Sequence, residues 1–184
     1  MSKPDKKKIL ALSGSIRKGS SNEKLLQHLA DQYKEIVNIE LFPTLDVLPH
    51  FNPDLTSVNV PQVVQDFIDA IDQADAVLIC TPEYVFSLPG VLKNALEWTV
   101  ATTVFSDKPC AFIVASSLGD KAFESLDLIM KTLVQKEIEP ESKVLIQGVR
   151  SKIISDAQTL DAEISKDLSV LMKSLLDSIE VKMN

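Results

Sequence analysis

Three stretches of the chain are apolar almost without a break: Ile9 to Leu12, "DAVLIC" (Asp75 to Cys80) and "PCAFIVAS" (Pro109 to Ser116). Runs of this kind, bounded by polar segments, suit strands buried on both faces of a parallel sheet. "KVLIQG", Lys143 to Gly148, reads as another strand. Ile36 to Phe42 differs, because polar neighbours separate Ile36, Ile39 and Leu41, which suits a strand nearer the sheet's edge.

Between these runs the spacing becomes helical. Leu25, Leu26 and Leu29 lie within a predicted helix from Asn22 to Tyr33, and Val64, Phe67, Ile68 and Ile71 form one face of another from Pro61 to Ala74. Pro61 suits a first helical turn. Further helices are predicted from near Pro89 through Trp98, from Ala122 to Gln135, and as a long amphipathic element carrying Leu160, Ile164, Leu168, Leu171, Leu175 and Ile179. The loop with Pro43, Pro49, Pro53 and Pro61 is too long for a mere connector; it is either functional or interfacial, or a surface excursion.

Five strands alternating with five helices, with no internal repeat, predict an α/β fold: a doubly wound five-stranded parallel sheet, order 2-1-3-4-5, with helices on both faces. One domain over residues 1–184 is expected, with 1–7 as a flexible tail. Such sheets bind ligands outside the carboxyl ends of their strands, at the switch point between the first and third. The polar loops "SGSIRKGSSN" and "TPEYVFS" both belong there.

Composition narrows the chemistry. A chain of 184 residues, 45% hydrophobic, fills a sizeable core. Its net charge of -7 argues against general nucleic-acid binding, which needs a basic face, so any phosphate must be held locally. No apolar run approaches the roughly 18 residues needed to cross a bilayer, and the lysine-rich start lacks the features of a signal peptide. A cytoplasmic protein with no membrane association is expected. Cys80 and Cys110 read as reduced, semi-buried thiols, and His28 and His50 give little material for a metal site or a histidine-based triad.

The first loop has the groups a phosphate monoester needs. A helix start offers unpaired amides and partial positive charge, Ser13, Ser15, Ser20 and Ser21 add hydroxyls, Arg17 adds a fixed cation, and Asn22 donates an amide or caps the helix. The spacing matches neither a Walker loop nor G-x-G-x-x-G, so a mononucleotide is favoured. The competing explanation is that Ser and Asn are simply good helix caps and that loop arginines are usually solvated. In the second loop, Pro82 stiffens the exit from a strand, and the backbone of Glu83 to Ser87 suits a flat polar heterocycle. Tyr84 and Phe86 either border that ring or pack the loop. Lys93, Asn94 and Glu97 share a helical segment that reads as a solvated or interfacial face.

On "GSIRKGSSN" (Gly14 to Asn22) and "PEYVFSLPGVLKNALEW" (Pro82 to Trp98), the chain resembles the NAD(P)H-dependent FMN reductase family, which is flavodoxin-like and includes quinone, chromate and azo-dye reductases. The resemblance implies FMN as cofactor, NADPH or NADH as donor, and a small-molecule electron acceptor. It implies a phosphate among Ser13, Ser15, Arg17, Ser20, Ser21 and Asn22, and a ring bordered by Pro82, Glu83, Tyr84, Val85 and Phe86 with Ser87 nearby. The third family loop reads "ASSLGD" here, so Ser116, Ser117 and Gly119 are candidates for the far side. Val85 stands where many members have Asn, and the usually glycine-rich third loop keeps only Gly119. No protein group is assigned as catalytic, since the chemistry is that of flavin N5, and Glu83 reads as a solvated turn carboxylate. The resemblance also implies a homodimer or homotetramer, in which Leu92, Leu96 and Trp98 either join the contact or fill the core. The competing functions are a flavodoxin-like electron carrier and a fold relative with a weakened flavin site that acts as a binding module.

Overall fold

The computed structural model describes residues 6–149 and 160–182. Residues 1–5 of the expected tail lie outside them; within the remainder, Lys6 Nζ donates to Lys34 O, and Lys7 O accepts from Asn38 N at 2.8 Å.

Five strands form one parallel sheet: β1 (Lys8–Ser13), β2 (Asn38–Leu41), β3 (Ala76–Thr81), β4 (Cys110–Ser116) and β5 (Lys143–Gln147). Their order, β2-β1-β3-β4-β5, is the flavodoxin-like arrangement that the alternating pattern predicts. All six residues of β3 are buried, as a central strand covered on both faces requires. β2 is at an edge and is shorter than expected. Ile36 is 62% exposed because its N–H, like that of Val37, turns back to Tyr33 O and closes the preceding helix instead of entering the ladder.

Successive strand side chains point to opposite faces, so the sheet divides its apolar residues between two cores. Ile9, Ala11, Leu78, Cys80 and Ile113 face α1 (Ser21–Tyr33) and α5 (Ala162–Lys182). Leu10, Leu12, Val77, Ile79 and Phe112 face α2 (Gln62–Asp72), α3 (Gly90–Glu97) and α4 (Asp120–Val134). Leu160 precedes α5 instead of riding on it.

Leu92, Leu96 and Trp98 are 0%, 2% and 1% exposed, so they fill the second core and offer no surface to another subunit. Cys80 and Cys110 are buried, not half-buried. The proline-rich loop gains its own order from short 3₁₀ turns at Leu45–Val47 and Pro53–Leu55 and from α3. Asn94 Oδ1 accepts from Phe51 N at 2.7 Å, while Asn94 Nδ2 and Trp98 Nε1 both donate to Pro49 O, at 2.9 and 2.8 Å. Lys93 and Glu97 keep the solvated role, paired with each other, whereas Asn94 fastens the loop.

Candidate functional site

The register sets the carboxyl ends of the central strands side by side: Ser13 is opposite Cys80, and Thr81 is opposite Val114. Gly14 N donates to Cys80 O at 2.8 Å, extending that pairing by one residue. A Cβ at Gly14 would overlap Thr81 Oγ1 and lie 2.7 Å from Thr81 Cβ. Only glycine lets the first two loops leave the sheet in contact.

Beyond Gly14 the hydroxyls organise their own loop. Ser13 Oγ donates to Ser15 O at 3.0 Å and accepts from Ser15 N at 3.2 Å, and Ser15 Oγ accepts from Arg17 N at 3.4 Å. Ser20 is the cap of α1: its Oγ accepts from Glu23 N at 3.2 Å, and Glu23 Oε2 accepts from Gly19 N at 2.7 Å. This is a capping box shifted by one residue at its return bond. Ser15 and Ser20 therefore accept from the backbone and still hold an O–H to donate. Among the described residues, the N–H groups of Ser21 and Asn22 meet no protein acceptor, and the exposed Arg17 guanidinium has no carboxylate partner. An anion-binding helix start is left available.

The side chain of Asn22 is committed elsewhere. Buried, it accepts from Cys80 Sγ at 3.2 Å and donates to Ala115 O at 3.5 Å, so it ties α1 to β3 and β4 and offers the site its backbone. Burial pushes the Cys80 thiol well above the ordinary cysteine range, which keeps it protonated as the donor.

The second loop closes into a two-residue hairpin, with Tyr84 N and Ser87 O at 3.0 Å and Ser87 N and Tyr84 O at 3.1 Å. Val85 and Phe86 take φ of 51° and 56°, the left-handed pair of a type I′ turn, which Asn and Gly adopt at far lower cost. Their side chains project outward, 94% and 70% exposed. Glu83 is not a solvated carboxylate: its Oε2 accepts from Lys121 N at 2.9 Å and Ala122 N at 3.0 Å, in the first turn of α4.

The three loops enclose a cleft of about 360 Å³. Ser15, Arg17, Ser20, Ser21 and Asn22 line it from the first loop, Pro82, Glu83 and Tyr84 from the second, and Ser116 and Ser117 from the third. Tyr84 thus borders the cleft and does not pack the loop. Ser13 opens instead into a neighbouring cavity of about 430 Å³, shared with Ser15, Arg17 and Phe42. Val85, Phe86, Ser87 and Gly119 lie outside the cleft lining, and Gly119 is the N-cap of α4. Sequence reasoning missed Ala115 and Val149, which also line the cleft. The signal for Val149 was its place just past a strand end, where Gly148 N donates to Ser117 O at 3.2 Å and prolongs the β4–β5 pairing. A larger groove of about 730 Å³, between Lys136, Lys173 and Lys182, sits at the amino ends of the strands, away from where such sheets bind ligands.

Residues 7–139 match the family described as NADPH-dependent FMN reductase. An NAD(P)H-dependent FMN reductase of Pseudomonas aeruginosa is 34% identical over 158 residues, covering 84% of this chain and 85% of the relative. A quinone reductase of Escherichia coli is 33% identical over 120 residues, 62% of each chain. The solved structure of FerB, a flavoenzyme NAD(P)H:(acceptor) oxidoreductase from Paracoccus denitrificans, matches with a TM-score of 0.77 at 28% identity, covering 95% of this chain and 97% of that one.

Proposed function

The chain belongs to the NADPH-dependent FMN reductase family, and from that premise we propose that the three-loop cleft is its FMN site. The protein is a flavin-dependent oxidoreductase that uses NAD(P)H to reduce a small acceptor of the quinone or flavin type. The groups present fit the cofactor. Two hydroxyls with hydrogens to donate, and two amides at the start of α1 and a guanidinium that have no partner among the described residues, suit a phosphate, and the remaining walls offer backbone and apolar surface for a ring.

Held there by these residues, FMN would supply the redox chemistry between NAD(P)H and the acceptor. The protein's tasks are to bind, orient and tune. Ser15, Arg17, Ser20, Ser21 and the Asn22 backbone take the phosphate, Pro82 to Tyr84 border one side of the ring, and Ser116 and Ser117 the other. Backbone N–H groups after Ser116 are the donors we assign to the part of the ring where negative charge collects on reduction. Val85, Phe86 and Ser87 are exposed beyond Tyr84, and we assign them to the side an acceptor approaches. We also assign the protein to the cytoplasm as a homodimer or homotetramer. Two free cysteines suit a reducing compartment, and the oligomer is what the family resemblance implies. A native mass near that of one 20.3 kDa chain would remove the oligomer.

The observation that carries the cofactor assignment is Arg17, without a carboxylate partner among the described residues, beside an open helix start. Arg17→Ala should weaken FMN about 10- to 100-fold and leave riboflavin within about 2-fold, because only FMN carries the charged partner. Equal losses for the two ligands, measured by fluorescence titration of apoprotein, would refute the phosphate role.

A further inference from the structure

Helix α4 cannot cap itself. Its N-cap is Gly119, at φ 106°, where a Cβ would lie 2.7 Å from Leu145 Cδ1 and 3.2 Å from Val114 Cγ1. The positive φ strains any residue with a Cβ here, so the position disfavours Ser, Asp and Asn, the residues that ordinarily accept from a helix's first N–H groups. Asp120, the first helical residue, turns away and accepts from Gln147 Nε2 at 2.9 Å. The cap comes instead from another loop, 38 and 39 positions back in sequence: both first-turn bonds, from Lys121 N and Ala122 N, end on Glu83 Oε2.

Glu83 itself lines the cleft, between buried Pro82 and the Tyr84–Ser87 hairpin, while Ser116 and Ser117 line it from the neighbouring loop just before α4. A carboxylate that reaches from the second loop to the helix that follows the third fixes the distance between the two loops. We propose that Glu83 is a positioning residue for the flavin: its carboxylate latches the second loop to α4, sets the width of the ring site, and holds a negative charge beside it. The proposal rests on the cleft being the FMN site. Glu83 touches neither hydride nor acceptor in this role. It acts through the Ser116–Gly119 loop, and it occupies two helix amides that would otherwise be free to attract the ring's negative charge.

Two substitutions separate geometry from charge. Glu83→Gln keeps a carbonyl oxygen for the amides and removes the charge; Glu83→Ala removes both. In the apoprotein, amide hydrogen exchange at Lys121 and Ala122 should quicken at least about 10-fold in Glu83→Ala and change little in Glu83→Gln. FMN should bind at least about 10-fold more weakly to Glu83→Ala and within about 3-fold of the unaltered protein to Glu83→Gln, with the bound flavin's midpoint potential more positive in Glu83→Gln. Faster exchange in Glu83→Ala with FMN affinity unchanged would overturn the latch, leaving Glu83 a helix cap without influence on the cleft. An unshifted potential in Glu83→Gln, which can be read even if Glu83→Ala does not fold, would overturn the role of its charge. If the unaltered protein takes up no FMN, the reading of the cleft fails together with this proposal, an outcome distinct from FMN that binds and ignores Glu83.

Discussion

Val85 and Phe86 hold the least comfortable backbone in the site. Left-handed φ costs a residue with a Cβ roughly 1–2 kcal/mol, and a β-branched residue such as Val85 stands at the high end. Neither side chain recovers that cost by packing within this chain, since they are 94% and 70% exposed. Replacing the pair by Val85→Asn and Phe86→Gly should therefore stabilise the apoprotein by about 1–2 kcal/mol, a rise in Tm of about 2–8 °C for a chain of this length. A Tm that stays put or falls would mean that these side chains make contacts outweighing the strain. The sequence already marks Val85 as a departure from the family's Asn, but its consequence emerges only from the hairpin, whose paired Tyr84 and Ser87 force both central residues to positive φ. Ser20 was legible for a different reason: helix capping is local chemistry, readable within one loop.

At the scale of elements, what the sequence concealed is consistently a hydrogen bond between distant segments. β3 and β4 could be read directly because burial on both faces leaves no room for polar residues. Asn94 could not, since it rides among Lys93 and Glu97 on what looks like a solvated helix face, and the segment it holds is 43 to 46 positions earlier. Glu83 was misread for the same reason. The loop after β2 thus owes its path to one amide side chain, an indole N–H and an edge-on contact of Phe51 with Trp98, centroids 5.3 Å apart. Asn94→Ala leaves the Phe51 amide without its partner and should cost about 1–3 kcal/mol. The loss should appear first as faster limited proteolysis between residues 43 and 60, ahead of global unfolding. A cleavage rate and a stability both unchanged would show that Trp98 and the 3₁₀ turns suffice.

For the whole molecule, the two cores each enclose one thiol, Cys80 on the α1 and α5 face and Cys110 on the other. Burial raises both, Cys110 to about 12, whereas in the unfolded chain each returns to an ordinary value of about 8.5. The folded state thus holds its thiol protons when the unfolded state has lost them. This contribution is fully present below about pH 8.5 and falls by about 1.4 kcal/mol per pH unit for each thiol as the pH rises toward the folded value. Lys108 works in the opposite sense, because burial holds its ammonium below the ordinary lysine range while it donates to Asp72 O and Ala74 O at 3.1 and 2.7 Å. Its share of the pH dependence must be separated from that of the thiols. Cys80→Ser, which keeps a donor for Asn22 Oδ1, combined with Cys110→Ala removes the two thiols and leaves Lys108 in place. Urea unfolding of both proteins from pH 8 to pH 11 should show the unaltered chain losing stability more steeply above about pH 8.5, the two curves running parallel below it. Parallel curves across that range would mean that the buried thiols ionise as readily in the folded protein as in the unfolded chain, and that neither core shields its cysteine from alkali.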